Sequence, residues 1–156
     1  MKVSPDTQVF FGRETEKAIM GDYPTLNDLN KAYGQGFATD WLIPQLDDLS
    51  MHTGAKNLTE RQQEQLAELI ATEYRYLKIT EVLLFFFRFK TGRYGRFYGT
   101  VDPMIIMCAM REFISERNSM IDAFEQQERD RKAAEDAKVP KMSYEEWLEY
   151  KKQKEG

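Results

Sequence analysis

The 156-residue sequence holds one cysteine, Cys108, and one histidine, His52. A lone thiol cannot close an internal disulfide, and Cys108 sits inside the apolar helical stretch Met104 to Met110, so it reads as a core residue. A lone imidazole leaves His/Cys zinc sites and histidine-dependent triads without their parts. Acids such as Asp47, Asp48 and Glu73 show no Glu-x-x-His or repeated acidic spacing that would build a metal centre. Gly92, Gly95 and Gly99 lack both the Lys-Ser/Thr that follows a phosphate loop and the strand that precedes a dinucleotide fingerprint. These absences point to a protein that is not an enzyme, with no cofactor and no metal site.

Long apolar runs are also missing. No window approaches the roughly 18 uninterrupted apolar residues that span a bilayer, and the opening residues are not a basic region followed by an apolar core. A reducing cytoplasm and no membrane partner are expected. The formal net charge of −4 argues against a surface that binds polyanions everywhere, so any nucleic-acid contact must be local.

What is present is enough apolar material for a core: 42% hydrophobic and 13% aromatic residues. Its centre of gravity is the run Val82-Leu83-Leu84-Phe85-Phe86-Phe87, apolar on all sides and hence a central buried element. The β-branched and aromatic content permits a strand, but the flanking segments offer no second strand to pair with it, and a lone strand leaves backbone groups unsatisfied. A helix from Glu81 to about Lys90, capped by Thr80, satisfies more constraints.

The other helices follow from caps and spacing. Thr25 with Asp28 opens one carrying Leu26, Leu29, Ala32 and Tyr33. Phe37, Trp41, Leu42, Leu46 and Leu49 mark a second that Pro44 either kinks or divides. Leu58-Thr59 with Gln62 is a capping box and staple ahead of Leu66, Leu69, Ile70 and Tyr74. Asp102-Pro103 opens a long helix whose apolar stripe runs from Ile105 to Phe124 and which is polar beyond it. Ser143 with Glu146 caps a short amphipathic tail. The expected architecture is all-α: a compact bundle of about five helices, with a long C-terminal helix and a short tail helix. A loosely ordered arm at residues 1–23 would precede a helical domain at 24–125 and a polar extension at 126–156. Val9-Phe10-Phe11 is the arm's one sticky spot, expected to tuck onto the domain or, as the alternative, to exchange between subunits, and Glu14 to Met20 reads as a weak helical turn.

From Tyr76 to Thr100 five basic residues face one acid, Glu81, a local +4 that leaves −8 for the rest of the chain. Arg88, Lys90, Arg93 and Arg96 could grip phosphate, while Tyr94 and Tyr98 stack on exposed bases of single-stranded nucleic acid. The competing reading has the aromatics packed on the bundle, the glycines making turns, and the arginines paired with Glu112 and Glu116. In the tail, Tyr144, Trp147 and Leu148 either fold back on the body or dock on a partner protein.

The set Pro24-Thr25-Leu26, Tyr33-Gly34, Trp41-Leu42, Leu58-Thr59-x-x-Gln62, Glu73-Tyr74, Tyr76-Leu77-Lys78-Ile79, Lys90-x-Gly92-x-Tyr94-Gly95, Tyr98, Asp102 and Glu116-Arg117 resembles a group of small helical proteins of uncharacterised function encoded by bacterial phages and mobile elements. The resemblance covers about residues 24–118 and brings no catalytic residue. It implies an accessory role in the cytoplasm of a bacterial host. By analogy with small helical replication accessory proteins such as phage helicase loaders, it implies contact with a replication protein or DNA. The alternative is an adapter, or an inhibitor of a host factor, that binds no nucleic acid.

Overall fold

The structure, a computed structural model, describes residues 5–53, 58–95, 102–138 and 143–155. Among these the chain forms one 3-10 turn, Pro5–Thr7, and eight α-helices. They are α1 Gln8–Arg13, α2 Thr15–Met20, α3 Leu26–Tyr33, α4 Phe37–Thr53, α5 Glu60–Glu73, α6 Ile79–Lys90, α7 Pro103–Lys138 and α8 Tyr144–Glu155. The described residues contain no strand, only an isolated bridge between Thr25 and Lys78. The all-α class is as expected, but about five helices is too few. Two of the additional short helices come from the segment read as an arm, α2 where a weak helical turn is expected and α1 where none is, and Phe11, Ala18 and Ile19 there are buried. Helices of six residues are too short to show a 3.6-residue period in sequence.

The chain divides into two compact units, Met1–Ile121 and Asp122–Gly156. In the first, α6 is the element the others enclose. Ile79 through Phe86 are all buried, as is Phe89, and Phe85 makes edge or tilted ring contacts with Phe86, Phe89 and Phe113 of α7. Helix α6 starts at Ile79, two residues before the expected start, and Thr80 is not its cap. Its hydroxyl instead donates to the Ala18 carbonyl at 2.7 Å, and Lys78 Nζ donates to the Ile19 carbonyl at 2.6 Å. Both acceptors belong to the last turn of α2, whose carbonyls have no partner within their own helix. The start of α6 thus caps the end of α2.

The predicted caps of α3 and α5 are present. Thr25 and Asp28 exchange hydrogen bonds of 2.9 and 3.0 Å, and Thr59 and Gln62 do so at 2.9 and 3.1 Å. The amide of Thr25 holds the Asp28 carboxyl below its ordinary range. The first amides of α3 bond outside the helix as well: Leu26 N donates to Leu77 O and Asn27 N to Arg75 O, each at 2.9 Å. Pro44 lies inside α4 without dividing it; it is exposed, so the amide it lacks and the carbonyl it frees face the wet side.

The second unit holds the polar end of α7 and α8. Arg131 bridges Glu128 and Glu135, one turn to either side, at 2.6 and 2.8 Å. The predicted capping box of α8 is present, with Ser143 and Glu146 exchanging bonds of 3.2 Å.

Gly12 is where α1 meets α6 most closely: a Cβ added there would lie inside the van der Waals envelope of the Phe87 ring. Gly12→Val is expected to destabilise the fold by about 1–3 kcal/mol through overpacking. In the background Phe87→Ala the same change should cost much less, because the obstructing ring is gone. Urea denaturation of the four proteins measures both. Equal stability of Gly12→Val and wild type would show that α1 does not pack on α6 as described.

Candidate functional site

The basic loop folds as two turns that begin at the end of α6. Gly92 and Gly95 adopt φ of 82° and 116°, in the left-handed region that favours glycine. Gly92 N donates to Phe89 O, and Gly95 N to Gly92 O, reversing the chain and returning residue 94 onto α6. Beyond the loop, Asp102 caps α7 as predicted, accepting from Met104 N at 2.8 Å.

This reversal determines where the predicted nucleic-acid residues lie. Tyr94 stacks on Phe85, with ring centroids 5.8 Å apart and planes 28° apart, and also touches Phe89. Its hydroxyl is shut off from water without a hydrogen bond of normal geometry. Burial pushes its pKa well above the ordinary value; Glu116 adds to the rise, while Arg88 and Arg93 oppose it. Its ring is therefore engaged with the α6 aromatics.

Arg88, only 13% exposed, donates to Glu116 at 2.6 Å and contacts the Met120 sulfur. Arg93, 52% exposed, donates from Nε to the same Glu116 oxygen at 2.8 Å. Lys90 pairs with Asp48 of α4. Arg96 and Tyr98 lie outside the described residues. Of the four predicted cationic or aromatic groups that are described, Arg93 alone presents substantial surface to solvent. It does so on an open notch of about 540 Å³ between the loop and α7, lined also by Glu112, Ser115 and Ser119. The two arginines and two glutamates of the notch balance, so it carries no net positive field.

A fourth pair anchors the other end of α6. Glu81, fully buried, accepts from Arg117 of α7 and from Lys78 N. Arg117 also lies over the ring of Tyr76, 5.5 Å from its centroid. In sequence Glu81 is a lone acid among cations; its partner Arg117 lies 36 residues away, on a helix face that no local pattern could align with it.

Helix α8 places Tyr144, Trp147 and Leu148 together and in water, at 74%, 45% and 36% exposure. Tyr144 stacks on Trp147 with centroids 6.3 Å apart, and Lys151 lies over the indole at 5.1 Å.

Cys108 is a correction: it is exposed, not core. Helix α7 buries Ile106, Ala109, Met110 and Phe113, spaced i, i+3, i+4, i+7, and residue 108 falls about 200° around the helix from 106. Ile105, placed in the same expected stripe, is exposed for the same reason. Two concavities escaped the sequence reading. One is a polar cleft of about 530 Å³ bordered by Asn27, Asn30, Thr39, Asp40, Glu68 and Arg75. The other is a groove of about 340 Å³ between the end of α5 and the start of α7. Among the described residues, no three His, Cys, Asp or Glu side chains cluster closely enough to hold a metal ion. Nor is any described helix long and apolar enough to cross a membrane.

Fold and site together define a small all-α protein whose interior charges are internally paired and whose exposed apolar groups gather on helix faces. Residues 57–156 match the model described as a family of unknown function (DUF6633), and the chain belongs to that family. No curated protein and no solved structure matches it.

The perturbed phenol gives a direct check on the placement of Tyr94. A folded-state pKa raised above the unfolded value contributes stability that is fully present below about pH 10 and is lost as pH rises beyond it. Wild type is expected to lose stability above pH 10 more steeply than Tyr94→Phe, which keeps the ring stack and has no proton to lose there. Identical urea midpoints for the two proteins across that range would place the phenol in solvent.

Proposed function

We propose that the protein is a non-enzymatic interaction module that docks on a partner protein through α8, with Tyr144, Trp147 and Leu148 as anchors. The observation that carries this reading is the exposure of an aromatic and aliphatic set at i, i+3, i+4 on one short capped helix, the pattern of helix-in-groove recognition. Tyrosine and tryptophan are enriched among residues that dominate binding energy, and a solvent-exposed indole on a polar helix has little value to folding. The family match supports the reading, because its span of 57–156 includes α8. The sequence resemblance supports an accessory protein of a phage or mobile element acting in the host cytoplasm, so a replication protein or another host factor is the class of partner we propose.

Direct contact with nucleic acid is the second reading, favoured by one observation: the half-exposed guanidinium of Arg93 beside Ser115 and Ser119 in the open notch. It has less support, since Arg88 and Lys90 are mostly enclosed in ion pairs and Tyr94 is stacked on the core.

Two measurements separate these readings. Affinity purification from bacterial lysate is expected to recover a partner with wild type and to lose at least about nine-tenths of it with Trp147→Ala/Leu148→Ala, in line with hot-spot losses above 2 kcal/mol. Identical partner profiles for the two proteins would end the α8 reading. In fluorescence anisotropy with labelled single-stranded oligonucleotides, weak or absent binding is expected at low salt; tight, salt-sensitive binding that Arg93→Glu abolishes would favour the second reading.

A further inference from the structure

Helix α7 carries two apolar stripes, and the core accounts for one of them. Ile106, Ala109, Met110 and Phe113 face inward, whereas Met104, Met107, Cys108 and Arg111 repeat the same i, i+3, i+4, i+7 spacing on the groove side. Across the groove stand Leu69 and Tyr74 of the α5 end. Leu69 is 54% and Met104 68% exposed, and Tyr76, edge-on to Tyr74 with centroids 6.3 Å apart, extends the apolar surface. Burial of such side chains is favoured in proportion to the apolar area it takes out of water, so a face of this composition is suited to being covered. Methionines let it adapt its shape to what covers it.

The charges on this face indicate what that is. It carries one acid, Glu73, and one base, Arg111, and neither makes an ion pair among the described residues. Two copies of a chain of net charge −4 carry a net repulsion, to which this face, neutral and displaying both signs, does not add. A two-fold interface brings residue i of one copy to residue j of the other and j to i. Glu73 of each copy can then meet Arg111 of the other, twice per interface, while the Leu69, Met104 and Met107 surfaces close on each other. We infer that the α5–α7 face is the two-fold interface of a homodimer. The dimer presents two copies of α8, so a partner with repeated sites gains avidity.

The single cysteine is a reporter built into this face. Full-length protein is expected to sediment as one chain when dilute and as two when concentrated, with Cys108 alkylation by a maleimide slowing in parallel. Leu69→Asp/Met104→Asp changes two exposed positions; it should keep the wild-type circular dichroism, sediment as one chain throughout and leave Cys108 reactive at every concentration. Glu73→Arg should weaken association at least about tenfold, and adding Arg111→Glu should restore most of it. That restoration separates a charge pair across the interface from a general surface effect. One chain at every concentration would overturn the inference and leave the face to a different protein. A dimer that survives Leu69→Asp/Met104→Asp with Cys108 still reactive would overturn it too, assigning the interface elsewhere. Neither failure touches the α8 reading, whose readout is loss of a partner with Trp147→Ala/Leu148→Ala.

Discussion

A helix that is apolar all the way round must be enclosed on every side, and α6 is one that also carries charge into its enclosure. Glu81 sits fully buried near its start, with Arg88 and Lys90 near its end. An ionised group taken out of water is tolerable only beside an opposite charge with good hydrogen bonds. Each of the three finds one on a neighbour: Glu81 on Arg117 of α7, Arg88 on Glu116 of α7, and Lys90 on Asp48 of α4. Two of these ties run from points about two turns apart on α6, Glu81 and Arg88, to the adjacent residues Arg117 and Glu116 of α7, and Phe85 between them on α6 packs against Phe113 of α7. Such pairs add little net stability over apolar replacements, but breaking one leaves an uncompensated buried charge, so they enforce register.

This arrangement consumes most of what made the 88–98 segment look like a binding site. Arginine, tyrosine and glycine in one stretch suit phosphate contact, base stacking and close backbone approach. The same residues also suit ion pairs, ring packing and tight turns, and the structure uses them for the latter where it describes them. Among the described residues, exposed apolar groups gather on α8 and along the groove between α5 and α7, while others, Val9, Phe10, Met20, Tyr33 and Met51, stand apart from both. Both hold methionine, tyrosine, tryptophan or arginine, residue types enriched at protein–protein interfaces.

Capping residues were the most legible part of the chain. Thr25 with Asp28, Thr59 with Gln62, Asp102 before Pro103, and Ser143 with Glu146 each stand where a helix starts, because a cap is a bond between residues two or three apart and its whole geometry is local. The choice of helix for α6 was legible by elimination. What stayed hidden depends on partners distant in sequence. The docking of α2 rests on Thr80 and Lys78, about sixty residues away, that of α1 on Phe87, and the pairing of Lys90 on Asp48, 42 residues away. Cys108 was misread because an apolar stretch with no polar break looks buried on all sides, when only the side of α7 carrying Ile106 and Met110 meets the core. The stacking of Tyr94 on Phe85 stayed hidden because the two rings come into reach only after the Gly92 and Gly95 turns.

Arg88 is either part of this frame or free for a ligand. A double-mutant cycle of Arg88→Ala and Glu116→Ala, followed by urea denaturation, measures this most directly. Coupling of about 1–3 kcal/mol is expected, as for contacting residues in one charged network. Additive effects of a few tenths of a kcal/mol, together with loss of oligonucleotide binding in Arg88→Ala, would contradict it and return the loop to being a binding site.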